Sequence, residues 1–336
     1  MSKNIKQILQ TLLFLGLGIF LVWFQINKLS DEGRQHVGDA LREANYFWMV
    51  LSMVTAFISH YLRAIRWKLL INTIGYQVAT KNSFYAVMIG YLVNGLVPRL
   101  GEVVRCGALG KKENIPVEKL IGTVVTARIV DLIFMLTIVG ATILVQFNLI
   151  SDFLNERIFS YVRASWEANA QTYMLLLAGG FILFILALFL LNRFIQTANS
   201  RFSTKINTIK NGLFEGMRSI FALKEKGRFL IYSTLMWVCY FFMSYFVFFS
   251  FDETSKLGFS EGLSVLTTGS LGIVAPVPGG LGSFHYLVSG NLQLYGISEP
   301  VGLSYSWLVW VAQFSVIIVV GLLSLFLISR NRKTIV

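Results

Sequence analysis

The chain has 336 residues, of which 55% are hydrophobic and 14% are charged, and its mean hydropathy is +0.65. A soluble domain carries about 25% charged residues, so this chain has too few polar side chains to cover a water-facing surface. We read the net charge of +12 as a signal of membrane orientation and anionic lipid, and we expect no nucleic-acid partner.

Six apolar segments are long enough to cross about 30 Å of hydrocarbon, which takes about 20 residues of helix. In chain order they are Ile8–Ile26, Tyr46–Leu62, Leu120–Phe147, Tyr173–Leu191, Phe229–Phe251 and Leu303–Ile328. The first follows a short basic stretch and lacks a small-x-small cleavage site, so we interpret it as a retained span. The sequence therefore predicts an all-α, polytopic transmembrane helical bundle.

Two further apolar stretches, Ser83–Val97 and Leu263–Ala275, run into helix-breaking residues. The structural breaks are Pro98 and Gly101 in the first stretch, and Pro278, Gly279, Gly280 and Gly282 in the second. Broken backbone is tolerated at membrane depth only where it is buried in protein or lines a wet cavity. We interpret both stretches as re-entrant hairpins that return to their own side.

The distribution of charge supports this topology. With the N-terminus inside and both hairpins re-entrant, 22 of the 29 Lys and Arg residues lie on the cytoplasmic side and six outside, with Arg128 in the membrane. Of the 17 acids, five lie inside and eleven outside, with Asp131 in the membrane. The positive-inside rule is thus obeyed. We predict a multi-pass protein of a bacterial inner (plasma) membrane with both termini in the cytoplasm.

The order of elements is the same in the two halves of the chain. Span, span, broken hairpin and span occur in residues 1–150 and again in residues 172–330. Three crossings are an odd number, so the second unit would be inverted, as in transporters that bind substrate at broken helices. We predict a single integral membrane domain over residues 1–336 with this inverted repeat.

Residues 201–228 carry apolar side chains at three- and four-residue steps, interleaved with lysines and arginines. The pattern is typical of an amphipathic helix in the cytoplasmic headgroup layer. Each basic residue there gains about 1 kcal/mol from an anionic leaflet. A solvated basic connector is the alternative.

Arg128 and Asp131 lie within the third predicted span. Each costs about 2.5–3.5 kcal/mol at a helix centre, and a spacing of three places them on one helix face, where they can pair. Two interpretations are open: a structural ion pair that fastens helices, and the polar wall of a cavity.

Arg99, Glu102 and Arg105 flank the first break. Free backbone N–H groups at the start of the second limb add partial positive charge, and guanidinium groups suit phosphate oxygens. We predict a phosphate-binding site here. The alternative is loop electrostatics, with Glu102 as an acid at a helix start.

His285 follows the second break. A lone histidine in an apolar segment is usually a satisfied core residue, but this one faces a Gly-rich turn. Its functional role would be to donate to a phosphate or to carry a proton. No nucleophile motif, zinc spacing or P-loop is visible, so we expect no cofactor and no metal, and we favour a transporter over an enzyme.

Three segments, NGLVPRLGEVVR (94–105), TVVTARIVDLI (123–133) and PVPGGLGSFH (276–285), resemble the lysylphosphatidylglycerol synthase transmembrane-region family, also called flippase-like integral membrane proteins. The resemblance spans most of the chain. It implies that these residues occupy motif positions: Asn94, Pro98, Gly101, Glu102, Arg105, Arg128, Asp131, Pro278, Gly279, Gly280 and Gly282.

The chain departs from the family pattern at two positions. Ala127 and His285 stand where the family often has Glu, which puts an identical substrate or proton coupling in doubt. The resemblance covers only the membrane part of the synthases. No segment has the polar length of their soluble aminoacyl-transferring domain, so we expect no lysyl transfer.

The resemblance implies a protein that binds a phospholipid or lipid-linked headgroup and moves it between leaflets. Two alternatives stay open: a membrane-embedded glycosyltransferase that acts on a lipid-linked substrate, and a non-catalytic lipid-binding partner of another synthase. The expected partners are membrane lipids with anionic headgroups, and a partner synthase or a second copy of the chain.

The topology is tested by cysteine labelling. We expect cysteine at Ser160 to react with an impermeant reagent from the periplasmic side, and cysteine at Asn211 to react only after permeabilisation, because the charge distribution puts these loops on opposite sides. Labelling of both positions from one side would contradict the six-span arrangement.

Overall fold

The computed structural model describes residues 3–147 and 223–330, with side chains for 15–147 and 223–329. Residues 140–147 belong to the second of two compact units, Gly140–Asn211, and the contacts below lie within the other unit. All regular structure in the described residues is helical, with ten α-helices and two short 3₁₀ turns and no strand. The predicted all-α class is confirmed.

The helices, numbered in chain order over the described residues, are α1 (Lys3–Lys28), α2 (Asp31–Glu43), α3 (Tyr46–Thr73), α4 (Thr80–Leu96), α5 (Leu100–Glu113), α6 (Val117–Val145), α7 (Lys226–Phe248), α8 (Phe259–Val274), α9 (Ser283–Gln293) and α10 (Glu299–Arg330). The 3₁₀ turns are Thr254–Lys256 and Pro278–Gly280.

Four helices, α3, α6, α7 and α10, are long and apolar enough to cross a membrane. They correspond to four of the six predicted spans. The predicted first span lies within α1. The part of α1 whose side chains are described, Leu15–Lys28, is apolar but shorter than the four long helices. The predicted span Tyr173–Leu191 lies outside the described residues. Most of the predicted interfacial helix 201–228 does so too, since its residues up to 222 are not described. Its last residues overlap the start of α7 at Lys226.

Large apolar side chains face outward along the long helices. Phe47, Val50 and Val54 of α3 and Leu322 and Phe326 of α10 are each about half exposed or more. A water-soluble protein rarely presents such a continuous apolar surface. The arrangement suits a protein whose solvent on these faces is hydrocarbon.

Helix α3 is longer than predicted. It continues from Leu62 through Arg63 and Arg66 to Thr73, and both arginines are buried. The predicted span Tyr46–Leu62 thus covers only the first part of this helix. The helix continues because the arginines find a charged partner inside the bundle.

The first hairpin consists of α4 and α5, and its two limbs pack closely at the turn. Asn94 accepts a hydrogen bond through Oδ1 from the Gly101 N–H at 2.7 Å, and Arg99 adopts a left-handed conformation with φ of 66°. A Cβ on Gly90 would lie 2.9 Å from the Gly101 carbonyl oxygen. Glycine is thus required on both limbs for this close approach.

The second hairpin consists of α8, the turn Pro278–Gly280 and α9. Gly279, Gly280 and Gly282 all have positive φ, at 58°, 72° and 80°. This region is easily accessible only to glycine, so the cluster of glycines gives the turn its path. Ser283 Oγ donates to the Gly272 carbonyl at 2.7 Å and ties the limbs together.

The two breaks lie side by side, because α4 packs against the turn Pro278–Gly280. Helix α10 supplies the contact between them. Trp310 Nε1 donates to the Gly279 carbonyl at 2.8 Å, and the Phe314 ring lies so close to Gly95 and Gly279 that a Cβ on them would be 2.9 and 3.0 Å away. This packing fixes the spacing of the two turns.

The close approach of the first hairpin is tested by a matched pair of substitutions in α5. In Gly101→Ala the new methyl group collides with the Gly90 carbonyl and with Asn94, so we expect a loss of at least about 1–3 kcal/mol of stability. Gly107→Ala meets nothing within 4 Å and should be neutral or stabilising by up to about 1 kcal/mol. Thermal unfolding in detergent measures both, and equal effects would contradict the packing.

Candidate functional site

Six charged side chains from three helices form one connected group, here called the arginine network. Its members are Arg63 and Arg66 of α3, Glu102 and Arg105 of α5, and Arg128 and Asp131 of α6. Asp131 is the middle residue of α6. The network therefore joins the centre of α6 to the first turn of α5, where Glu102 lies.

Asp131 is the acceptor at one end of the network. Its Oδ1 is 2.6 Å from Arg66 Nη1 and its Oδ2 is 2.9 Å from Arg63 Nη1, while Arg128 Nη1 lies farther away, at 3.6 Å. The predicted pair of Arg128 and Asp131 thus exists, but the two arginines of α3 are the nearer partners. Since Arg63 and Arg66 are three residues apart on one face of α3, a single carboxylate can bind both.

Glu102 is the acceptor at the other end. Its Oε2 is 2.8 Å from Arg105 Nη2, and its Oε1 forms a short ion pair with Arg128 Nη2. Arg128 thus bridges the two carboxylates. It joins the start of the second limb of the first hairpin to the centre of α6.

Aromatic and hydroxyl groups support the buried guanidinium groups. The Arg105 guanidinium lies over the Trp67 ring at 4.9 Å, and that of Arg63 lies over the Tyr91 ring at 5.7 Å. Arg63 also donates to the Tyr240 hydroxyl, and Arg66 donates to Ser233 Oγ at 3.3 Å. These contacts hold the cations in place where water is scarce.

The network carries more positive than negative charge. Four guanidinium groups face two carboxylates, which leaves two positive charges in excess among the described residues. The side chains of Arg63, Arg66 and Arg105 are at most 5% exposed, whereas that of Arg128 is 41% exposed. An unbalanced charge at this depth is costly, so the site favours an anion.

An open groove of about 340 Å³ runs between α5 and α6 beside the network. Its two polar lining residues are Glu102 and Arg128. The other lining residues are aliphatic: Val103, Ile121, Val124, Val125, Ile129 and Leu132. The accessible surface of the groove is apolar and suits a hydrocarbon chain, and the partly exposed Arg128 at its border offers a charge for a headgroup.

The structure brings four of the predicted site residues together, namely Glu102, Arg105, Arg128 and Asp131. Asn94 lies beside them, at a narrow gap that also borders Glu102, Arg105 and Arg128 and is too tight to admit a water molecule. Its hydrogen bond to Gly101 gives it a role in closing the turn. Arg99 is exposed at that turn and forms no ion pair with a described residue.

His285 lies at the second break and has no contact with the arginine network among the described residues. It is fully buried, and its Nδ1 accepts a hydrogen bond from the Gly282 N–H at 3.1 Å. Its ring packs against Trp307, with centroids 3.9 Å apart. These contacts favour a role in stabilising the glycine-rich turn.

Arg63 and Arg66 are not among the site residues predicted from the sequence. Their spacing of three repeats the spacing of Arg128 and Asp131, and the apolar residues Trp67, Leu70 and Ile71 continue after them. That continuation was a signal that the helix does not end at Leu62. The partner of the two arginines is more than 60 residues away in sequence, so the pairing itself could be found only from the fold.

Comparisons with known proteins give one family and several relatives. The family model described as the lysylphosphatidylglycerol synthase TM region matches residues 7–321. A UPF0104 membrane protein of Methanothermobacter thermautotrophicus is 26% identical over 80% of this chain and 82% of its own length. One UPF0104 membrane protein of Methanocaldococcus jannaschii is 24% identical over 71% of this chain and 95% of its own length. No solved structure shows significant similarity.

The centre of the network is tested by Asp131→Asn. The change leaves Arg63 and Arg66 buried without a charged acceptor, and we expect a loss of about 3–5 kcal/mol of stability. Adding Arg66→Met should recover part of the loss. Adding Arg128→Ala should recover less, since Arg128 keeps Glu102 as a partner.

Thermal unfolding in detergent measures these variants. The matched control is Asp39→Asn, whose carboxylate is 59% exposed and pairs with Arg42 at 3.8 Å. An exposed pair of this kind contributes about 0–1 kcal/mol. Equal losses in the two aspartate variants would show that the buried pairing contributes nothing.

Proposed function

Because the match covers residues 7–321, this chain belongs to the lysylphosphatidylglycerol synthase transmembrane-region family, and we propose that it is a flippase-like membrane protein that translocates a lipid headgroup between leaflets. The chain is a multi-pass integral membrane protein. The observation that carries the proposal is the arginine network at the middle of α6, which lies beside an aliphatic groove that Arg128 and Glu102 border.

Translocation requires a polar headgroup to cross hydrocarbon, where an unsatisfied polar group costs several kcal/mol. The arginine network supplies fixed counter-charge at mid-helix depth, which replaces the hydration that the headgroup loses. The acyl chains do not need a polar path, since they can stay in lipid or in the groove. The protein thus provides a path for the headgroup alone.

The first hairpin is the element best suited to move during transport. It ends in a turn, and its second limb carries Glu102, whose ion pair with Arg128 joins it to α6. A headgroup that binds Arg128 competes with this ion pair. Binding therefore weakens the link that holds the hairpin to α6.

We further propose that both termini lie in the cytoplasm, which the distribution of Lys and Arg favours. The membrane would be the plasma membrane, and the partners would be anionic lipids, with a second copy of the chain or a lipid synthase as a further partner. The similar archaeal proteins carry names that specify only a membrane protein.

The proposal is tested by reconstitution in liposomes that carry fluorescent lipid analogues and are treated with an impermeant quencher. We expect the purified protein to make inner-leaflet lipid accessible faster than empty liposomes do. Arg128→Ala should slow this by about tenfold or more, since a hydrogen bond to a charged group contributes about 1.5–3 kcal/mol.

The matched control is Arg42→Ala, because the Arg42 side chain is 83% exposed on α2. This variant should keep the rate of the parent protein. Absence of acceleration by the parent for every headgroup tried, or an undiminished rate in Arg128→Ala, would contradict the proposed function.

A further inference from the structure

We infer that the site selects a lipid whose headgroup ends in a phosphate with about two negative charges, in preference to a phosphodiester, a zwitterion or an aminoacylated lipid. This inference rests on the proposed function, because it names the substrate class of the same site. It follows from the charge of the network, the exposure of its members and the shape of the groove.

The charge of the network sets the charge of the ligand. The two excess positive charges are balanced by a terminal phosphate, which carries about 1.5–2 negative charges at neutral pH and has three acceptor oxygens. A phosphodiester balances only one of them, and a zwitterionic headgroup balances neither. A lysylated headgroup brings an additional ammonium group into a site that already has surplus cations.

Exposure identifies the residue that a ligand reaches first. Arg128 is 41% exposed and lines the groove, whereas the other three guanidinium groups are at most 5% exposed. A planar guanidinium group binds two phosphate oxygens at once. Arg128 is therefore the anchor of the headgroup, and the buried arginines act on it through their charge.

Glu102 competes with the ligand for this anchor. Its side chain is 25% exposed, lines the same groove and already pairs with Arg128. It is thus an internal anion that a phosphate must displace. Removing its charge should strengthen phosphate binding, which is opposite to the effect expected of a residue that merely completes the binding site.

The aliphatic wall of the groove adds a requirement for a hydrocarbon chain. Val124, Ile129 and Leu132 are among the residues that line it, and within the part of the chain that the structure describes its charged lining residues are Glu102 and Arg128. A free phosphate ion would leave this wall in contact with water. Both a diacyl lipid phosphate and a single-chain alkyl phosphate have the required chemistry, so the experiment includes both.

The experiment measures lipid binding to the purified protein in detergent, by native mass spectrometry and by thermal stabilisation. The lipids are dioleoyl phosphatidic acid, phosphatidylglycerol, phosphatidylcholine and lysyl-phosphatidylglycerol, with dodecyl phosphate and inorganic phosphate as further ligands. We expect phosphatidic acid to bind about tenfold or more tightly than the other three diacyl lipids. Dodecyl phosphate should bind more tightly than inorganic phosphate.

Two substitutions should shift this affinity in opposite directions. Arg128→Gln should weaken binding of phosphatidic acid about tenfold or more and remove the preference for it. Glu102→Gln should strengthen binding of the same lipid. The controls are Arg42→Gln and Glu43→Gln, two exposed neighbours at the end of α2, and neither should change the affinity.

Arg128→Lys is included in case Glu102→Gln does not fold. It keeps the charge but lacks the planar fork, so its affinity should fall between those of the parent and Arg128→Gln. Equal binding of phosphatidic acid and phosphatidylglycerol, or a preference that survives in Arg128→Gln, would overturn the inference. Binding in detergent needs no transport, so this failure is distinct from a failure to translocate lipid in liposomes.

Discussion

The carboxylate of Asp131 is the point on which the position of several helices depends. It accepts from two arginines of α3 and lies beside Arg128, which reaches on to Glu102 of the first hairpin. Apolar packing between helices in lipid gives little preference for one depth or rotation over another, because lipid tails are as apolar as the side chains. A buried guanidinium group without its acceptor is far more costly. Charge pairing therefore sets the register of α3 against α6, and the apolar contacts fill the space around it.

This constraint also explains why a site for an anion can exist at such a depth. Tyr91, Trp67, Ser233 and Tyr240 surround the guanidinium groups, and together with two carboxylates they hold four cations in place. The carboxylates neutralise half of the charge. The remaining charge stays available at the edge of the bundle, where Arg128 meets the groove. The buried arginines are thus held in place before the ligand arrives, and the contact that binding must change is the ion pair of Arg128 with Glu102.

Much of the fold follows from the sequence through simple signals. The long apolar runs gave the long helices, and Pro98 and the glycines of residues 279–282 located the two turns. The spacing of Arg128 and Asp131 indicated a common helix face. The extent of α3 was not predicted, because a hydropathy pattern ends a span at its first charged residue. Whether Arg63 can be buried in the bundle depends on an acceptor on another helix, the carboxylate of Asp131. In the same way His285 was correctly located beside the second turn, but its packing on Trp307 comes from a distant segment. Local patterns thus identify elements, and the contacts that determine a site require the tertiary structure.

The ring of Phe314 between the two breaks has a consequence for motion. It touches Gly95 at the end of one hairpin and Gly279 in the turn of the other, and α4 packs directly on that turn. Neither turn can shift towards the other, since the gap is already filled by a rigid ring. A displacement of one hairpin must be followed by α10 and by the other hairpin. The two hairpins therefore form one mechanical body, and any opening of the proposed headgroup path is a movement of that body against α3 and α6.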